Sequence, residues 1–502
     1  MGAAGSPLLL GIDLGTSALK AGLFGPDGQL TAQARRSYPL HAPRPGWAEE
    51  NPADWWAALC AAVHEALAQA ARPGTQVTAI GLAGQAPGQV LLDARGHALG
   101  RALIWQDRRA AGEAAWLASQ VTPEQLHAWT GVREPDPSLA PARLRWLQTH
   151  RPEDWARTAM VLSPKDYLAF SLTGEQATDP HSAFGLLGPS TGRYEPGLFD
   201  LLQVDRRRLP PLLAPTAIVG HVTSRAAAET GLSAGTPVVL GTVDAWCAII
   251  GSGARAAEAV DVAGTSEVVA LVTARPAAGE GVFQAPLIEE LHWVGGPTQS
   301  GSSALAWLAR GFYPEFAGSA DFARLEGDAA SVSAGSDGLV FLPYLAGERA
   351  PLWDARARGA LIGLTLGHTR AHATRAVYEG VALAVRHILS LAEEAAHGPA
   401  TLLRLVGGGA ESAFWNQLKA DVTGKPALEP AVAEAGCLGA AILAAIGTGT
   451  YPGCQAATRA MVQIRRAYEP DRALSPHYDE LFAIYRGLYP ALRPWFWRLE
   501  GV

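Results

Sequence analysis

Apolar and polar positions follow two rhythms along this chain, and the switches between them mark its elements. Leu8 to Asp13, Leu19 to Phe24 and Gln29 to Arg35 are short β-prone runs in close succession, with Pro26-Asp27-Gly28 as the second turn, which predicts three consecutive strands. The spacing then changes. Trp55, Leu59, Val63 and Leu67 recur every four residues, which predicts a helix from about Pro52 to Ala71. Asn51 can cap it and Pro52 suits its first turn. Val77 to Leu82 returns to a strand pattern.

The second half repeats this opening. Leu8 to Ser17 reads LLLGIDLGTS and Ala259 to Ser266 reads AVDVAGTS, each followed by another β-prone run, Ala18 to Phe24 or Glu267 to Val272. Farther on, Arg370 to Ala395 places Val377, Val381, Ala384, Val385 and Ile388 on one apolar stripe. Leu402 to Val406 reads as a strand, Gly407 to Gly409 as the turn after it, and Glu411 to Thr423 as a short helix. Cys437 to Ile446 is Ala/Gly-rich and far short of the ~20 residues a membrane span needs, so it reads as a buried helix. One boundary near Gly253 then divides the chain into residues 1–253 and 254–502.

The repeated turns carry the first chemical signal. Glycine lets the backbone turn tightly against a ligand, while turn N–H groups and Thr or Ser hydroxyls donate to phosphate oxygens. Either turn alone reads best as an ordinary hairpin; the repetition points to a nucleotide site. Gly407 to Gly409 lies where a strand ends and a helix begins, which suits an anionic or polar ligand. It is not a dinucleotide fingerprint, because no acidic residue follows at the required distance, and no GxxxxGK[ST] loop occurs. Asp244 ends Gly241-Thr242-Val243-Asp244, after the strand Pro237 to Leu240 and before the small-residue helix Ala245 to Gly251. It is placed either to accept a hydroxyl proton in phosphoryl transfer or simply to cap that helix.

Composition narrows the class. Hydrophobic content of 48% and charged content of 17% describe a soluble globular enzyme, and a net charge of −7 offers no basic surface to nucleic acid or acidic lipid. Cys60, Cys247, Cys437 and Cys454 are scattered, as in a reduced cytoplasmic protein, and no secretory signal fits the first residues. His64, His181 and His387 are isolated, without zinc-ligand spacing, and the acidic and basic residues of Asp321 to Asp328 read as a wet helix face.

Together the residues resemble the FGGY carbohydrate kinases, closest to their xylulokinase-like branch. The resemblance rests on GIDLGTS (11–17), KDYL (165–168), Thr178-Asp179, Asp244, AGTS (263–266), FLPYLAGERAP (341–351) and VGGGAESAFWNQLKADVTGKP (406–426), in order along nearly the whole chain. It implies an α/β fold of two ribonuclease-H-like, actin-type ATPase domains around a central cleft, the first binding sugar and the second nucleotide. The implied chemistry is transfer of the γ-phosphate of ATP to a terminal hydroxyl of a ketopentose with Mg²⁺, D-xylulose being the default acceptor. Carried over by position, Asp13 would hold Mg²⁺ through water, and Asp244 would be the general base. Gly15, Thr16, Ser17, Gly264, Thr265 and Ser266 would cradle the phosphates. Gly408, Gly409, Ala410 and Asn416 would receive adenine and ribose.

The chain departs from that pattern at the sugar. Where xylulokinases usually carry Gln-Met-His-Gly, this chain has Gln85-Ala86-Pro87-Gly88, so one side-chain contact to a sugar hydroxyl is missing or has moved. Trp105 and Trp246 can stack on a sugar face, and Asp107 and Arg108 are the remaining polar contacts expected there. Arg143 stands where Lys is usual, and Ala373 where a larger apolar residue is usual. Another pentulose, a polyol or a sugar acid therefore stays open as substrate. A non-catalytic nucleotide- or sugar-responsive protein is the alternative of another class. The expected partners are the sugar and ATP, with neither nucleic acid nor membrane, and a homodimer is the assembly considered.

Overall fold

A computed structural model describes residues 7–316 and 321–499. The chain forms two compact units, Met1–Cys247 with Gly436–Met461, and Ala248–Ala435 with Val462–Val502.

In the first unit, strands β1 (Leu8–Leu14), β2 (Ala18–Phe24), β3 (Leu30–Ser37), β4 (Val77–Gly84), β5 (Ile218–His221) and β6 (Pro237–Val243) form one sheet in the order β5-β6-β4-β1-β2-β3. β1 runs antiparallel to β2, with Asp13 opposite Lys20, and parallel to β4. The predicted helix spans Pro52–Ala70, with the Asn51 side chain accepting from the Ala53 amide, and it buries Trp55, Leu59 and Val63 in the core of this unit.

The helix Ala435–Gly447 explains why a late segment returns to this unit. A Cβ on Gly11 or Gly81, side by side on β1 and β4, would lie 1.9 Å from the carbonyl oxygen of Cys437 or Ala440. Only bare backbone at these positions lets the helix lie directly on the sheet. Cys437 to Ala445 is accordingly buried, as its composition predicts, but it is buried in the first unit. A single boundary near Gly253 does not describe that return.

The second unit repeats the sheet. Strands β7 (Ala259–Ala263), β8 (Glu267–Thr273), β9 (Phe283–Ile288), β10 (Leu291–Pro297), β11 (Leu403–Val406), β12 (Ala427–Pro430) and β13 (Ile464–Tyr468) follow the order β9-β10-β8-β7-β11-β12-β13. Reading β3-β2-β1-β4-β6 against β10-β8-β7-β11-β12, both sheets pair antiparallel, antiparallel, parallel, parallel. This is the duplicated ribonuclease-H-like architecture expected. The long helix spans Arg370–Ala396 and buries the anticipated stripe. The triple glycine opens a 3₁₀ turn, Gly408–Glu411, before the helix Ala413–Thr423. Among the described residues no helix is long and apolar enough to cross a membrane.

Candidate active site

In the first unit the Gly15–Ser17 turn is held from several sides. Its hairpin closes through Gly15 N–H to the Ala18 carbonyl at 3.1 Å, the Tyr38 hydroxyl donates to the Gly15 carbonyl, and Trp105 Nε1 donates to Thr16 Oγ1 at 2.7 Å. Ser17 stays exposed. Asp13, just before the turn, is 8% exposed. β6 runs on to Val243, so Asp244 is the first residue of the helix Asp244–Gly251 and its Oδ1 accepts from the Ala245 amide at 2.7 Å. Burial raises the Asp244 carboxyl above its ordinary range, partly offset by that amide and by Lys20. The Tyr38 hydroxyl is pushed up by burial and by the charges of Glu50, Asp13 and Asp244, so these three carboxylates share its surroundings.

The residues expected to meet the sugar divide into exposed and structural groups. Gln85 is buried; its Nε2 donates to Glu50 Oε2 at 2.7 Å, and its Oε1 has no partner among the described residues. Ala86 and Pro87 are half-buried, as are Trp105 and Trp246, and Arg108 is exposed. Asp107 differs from expectation. It is fully buried, with both oxygens taken by the Arg109 guanidinium and one also by the Ala48 amide at 2.6 Å. That geometry makes it a brace for the loop rather than a group offered to a ligand. Arg143, also fully buried, donates to the carbonyls of Ile104 (2.5 Å), Asp107 (2.9 Å) and Pro87 (3.3 Å), tying both loops to one guanidinium. Four carbonyl and amide acceptors meet a planar fork here, counting Gln89 Oε1 at 3.3 Å, which is the physical reason for Arg in place of Lys.

Sequence reasoning missed a buried polar cluster behind Asp244. Lys165, Asp166 and Asp179 are all buried, and His181 and Thr242 extend the set; the isolated-histidine reading had no means of seeing this, because the partners lie up to 63 residues apart along the chain.

In the second unit the Gly264–Ser266 turn is pinned by the helix Ser302–Phe312. Ser302 donates through its amide and, at 2.7 Å, its hydroxyl to the Gly264 carbonyl, and the amides of Gly301 and Ser303 donate to the Thr265 carbonyl. Arg349 donates to the Thr298 carbonyl at 2.5 Å and lies 3.4 Å from Ser266 Oγ. Thr265 opens onto a pocket of about 480 Å³ whose walls include Ser302, Ser303, Arg310, Tyr313 and Phe322. None of these five was expected, and Phe322 and Tyr313 belong to stretches that carry no glycine or hydroxyl motif. Of the residues expected at the nucleotide, Asn416 is buried and its amide donates to the Ala410 carbonyl at 2.7 Å, so it braces the glycine turn from beneath.

Among the described residues no group of three or more His, Cys, Asp or Glu is placed to hold a metal. A carboxylate such as Asp13 suits an ion that draws most of its oxygens from phosphate and water, as Mg²⁺ does at nucleotide sites.

Residues 8–251 match the N-terminal domain, and residues 259–448 the C-terminal domain, of the FGGY family of carbohydrate kinases. The xylulose kinase of Staphylococcus epidermidis is 30% identical over 492 residues, 96% of each chain. The L-xylulose/3-keto-L-gulonate kinase of Escherichia coli K12 is 32% identical over 508 residues, 98% of each. The crystal structure of xylulose kinase from Rhodospirillum rubrum superposes with a TM-score of 0.86 at 34% identity, covering 97% of this chain and 99% of that one.

Proposed function

We propose, since this chain belongs to the FGGY family of carbohydrate kinases and is a sugar kinase, that its acceptor is a ketopentose, in the first instance D-xylulose, converted with ATP to D-xylulose 5-phosphate and ADP. The observation that carries this reading is the position of Asp244, at the mouth of β6 in the same unit as Asp13 and the half-buried Trp105 and Trp246. A carboxylate there accepts the proton of the attacking alcohol as the oxygen–phosphorus bond forms. Phosphoryl transfer asks the protein mainly for position and for charge to offset the phosphates. Mg²⁺, when bound, neutralises phosphate charge, and Asp13 is the residue that would hold it, through water. Each unit carries a hydroxyl-bearing turn able to donate to phosphate oxygens, Gly15–Ser17 in the first and Gly264–Ser266 in the second, and in the second unit the pocket beside Thr265 suits the nucleoside.

Gln85 Oε1, buried and without a partner among the described residues, is the acceptor left for a sugar hydroxyl on a loop where Ala86 and Pro87 offer none. A thinned contact set leaves a second reading, a different pentulose or a sugar acid, which is why the acceptor must be tested directly. Purified protein with ATP, Mg²⁺ and a panel of D- and L-pentuloses, alditols and aldonates, read by coupled ADP release, decides it. D-Xylulose is expected to give the highest kcat/KM. An aldonate or alditol preferred by more than about tenfold in kcat/KM, the ratio by which an enzyme discriminates between substrates, overturns the assignment of acceptor.

A further inference from the structure

The polar cluster behind Asp244 is a directed chain of hydrogen bonds. Lys165 Nζ lies 2.6 Å from Asp166 Oδ1 and 3.1 Å from Asp179 Oδ2. Asp179 also receives the Ser182 hydroxyl, the amides of His181 and Ser182, and the Thr242 hydroxyl at 2.7 Å from Oδ1. Thr242 Oγ1 in turn lies 2.8 Å from His181 Nδ1, and Trp246 stacks on the imidazole with ring centroids 5.3 Å apart.

One proton count orients the whole chain. Against the upward pull of burial, Lys165 and the Ser182 and Thr242 hydroxyls hold Asp179 below the usual carboxylate range, so it only accepts. The single Thr242 hydroxyl proton therefore goes to Asp179, and the Thr242 oxygen accepts from His181 Nδ1–H. Burial holds the imidazole below its ordinary pKa, so it is neutral near pH 7. With the proton on Nδ1, Nε2 carries a lone pair. His181 touches Thr242 and Trp246, the residues two before and two after Asp244, so its ring belongs to the strand-to-helix junction that carries the proposed base.

We propose that His181 is a specificity-determining residue whose Nε2 accepts a hydrogen bond from a second acceptor hydroxyl, on the carbon next to the one phosphorylated. His181 thereby supplies a side-chain contact of the kind that Ala86 and Pro87 lack. The substrate class is a carbohydrate ending in a vicinal diol, CHOH–CH₂OH, and this rests on the kinase reading above.

The test compares D-xylulose with 4-deoxy-D-xylulose for the wild type, His181→Leu and His181→Gln. It reads kcat/KM by ADP release and Kd by calorimetry without nucleotide, with thermal melting as a check on folding. The wild type is expected to prefer the 4-hydroxy sugar by about a hundredfold, as buried polar sites do against analogues lacking their partner. His181→Leu should bring the two sugars within about threefold, while His181→Gln, whose Oε1 also accepts, keeps most of the preference. A wild-type ratio retained in His181→Leu overturns the proposal and leaves the kinase assignment intact, as does a wild type with no preference that still turns over D-xylulose. A preference seen in binding and lost in His181→Leu, without turnover of either sugar, upholds the role of His181 and overturns the acceptor instead.

Discussion

Gly436 approaches Asp13 so closely that a Cβ in place of its hydrogen would stand 2.5 Å from Oδ2. The start of the Ala435–Gly447 helix thus shapes the space of the carboxylate expected to hold Mg²⁺. The atom displaced is the end of a flexible side chain, so Gly436→Ala should move Asp13 rather than unfold the unit. The expected outcome is a kcat lowered by about tenfold to a hundredfold, as for misplacement by about an ångström, with a higher Mg²⁺ concentration for half-maximal rate and little change in melting temperature. A titration of activity against Mg²⁺ checks it; unchanged half-saturation would separate Asp13 from the metal.

Asp244→Asn keeps the size of the side chain and its hydrogen bond to the Ala245 amide while removing the proposed base. A positioned general base contributes about 10²- to 10⁴-fold, so kcat should fall within that range with sugar Kd and ATP Kd nearly unchanged. Because burial raises this carboxyl, the wild-type rate should also decline on the acid side at a pH above the ordinary aspartate range. Steady-state kinetics with calorimetry separates the two effects, and full turnover by the variant would remove Asp244 from its role.

Glu50 predicts how stability varies with pH. Burial pushes its carboxyl from 4.5 up to about 7, against hydrogen bonds from Trp55 and Gln85. Between those values the folded chain holds a proton that the unfolded chain has released, so this group makes stability fall as pH rises through that interval. The deficit, about 3 kcal/mol at most, is complete above the folded value. Glu50→Gln retains an acceptor for Trp55 and Gln85 and cannot ionise. Its melting temperature should exceed that of the wild type near pH 8 and match it near pH 4.5; denaturation curves across that range check the slope.

Local pattern made the sheet-opening hairpins, the Asn51-capped helix and the Arg370 helix legible, because each depends on spacing within a few residues. The two Gly-Thr-Ser turns were legible for the same reason. The polar partners of Asp107 and Asn416 were not, since a buried brace and a ligand contact have the same sequence. The Lys165–Asp179–Thr242–His181 chain joins three segments that only the fold brings together. The return of Gly436–Met461 to the first unit depends on bare backbone at Gly11 and Gly81, and a strand glycine carries no mark of the helix it will admit. The pocket beside Thr265 is walled by one helix face and three aromatic rings, with no motif of its own.

Arg143 supplies the last prediction. Its guanidinium carries Nη2 to the Ile104 and Asp107 carbonyls and Nη1 to Pro87 and Gln89, so the loop with Gln85 and the loop with Trp105 are fixed relative to one another by a single side chain. Burial pushes the guanidinium down to about 9, which leaves it charged at neutral pH. Arg143→Lys restores charge but offers three donors from one point, which cannot reach acceptors on both loops. At least one buried carbonyl then loses its partner, at about 1–3 kcal/mol, and the melting temperature should fall accordingly. If the loops carry the sugar contacts proposed for them and not the base, KM for the sugar should rise about tenfold while kcat at saturating sugar changes little, uniform binding being lost rather than transition-state contacts. Equal loss in kcat would mean that Arg143 also positions Asp244, through Trp105 and the Gly15–Ser17 turn that Trp105 holds.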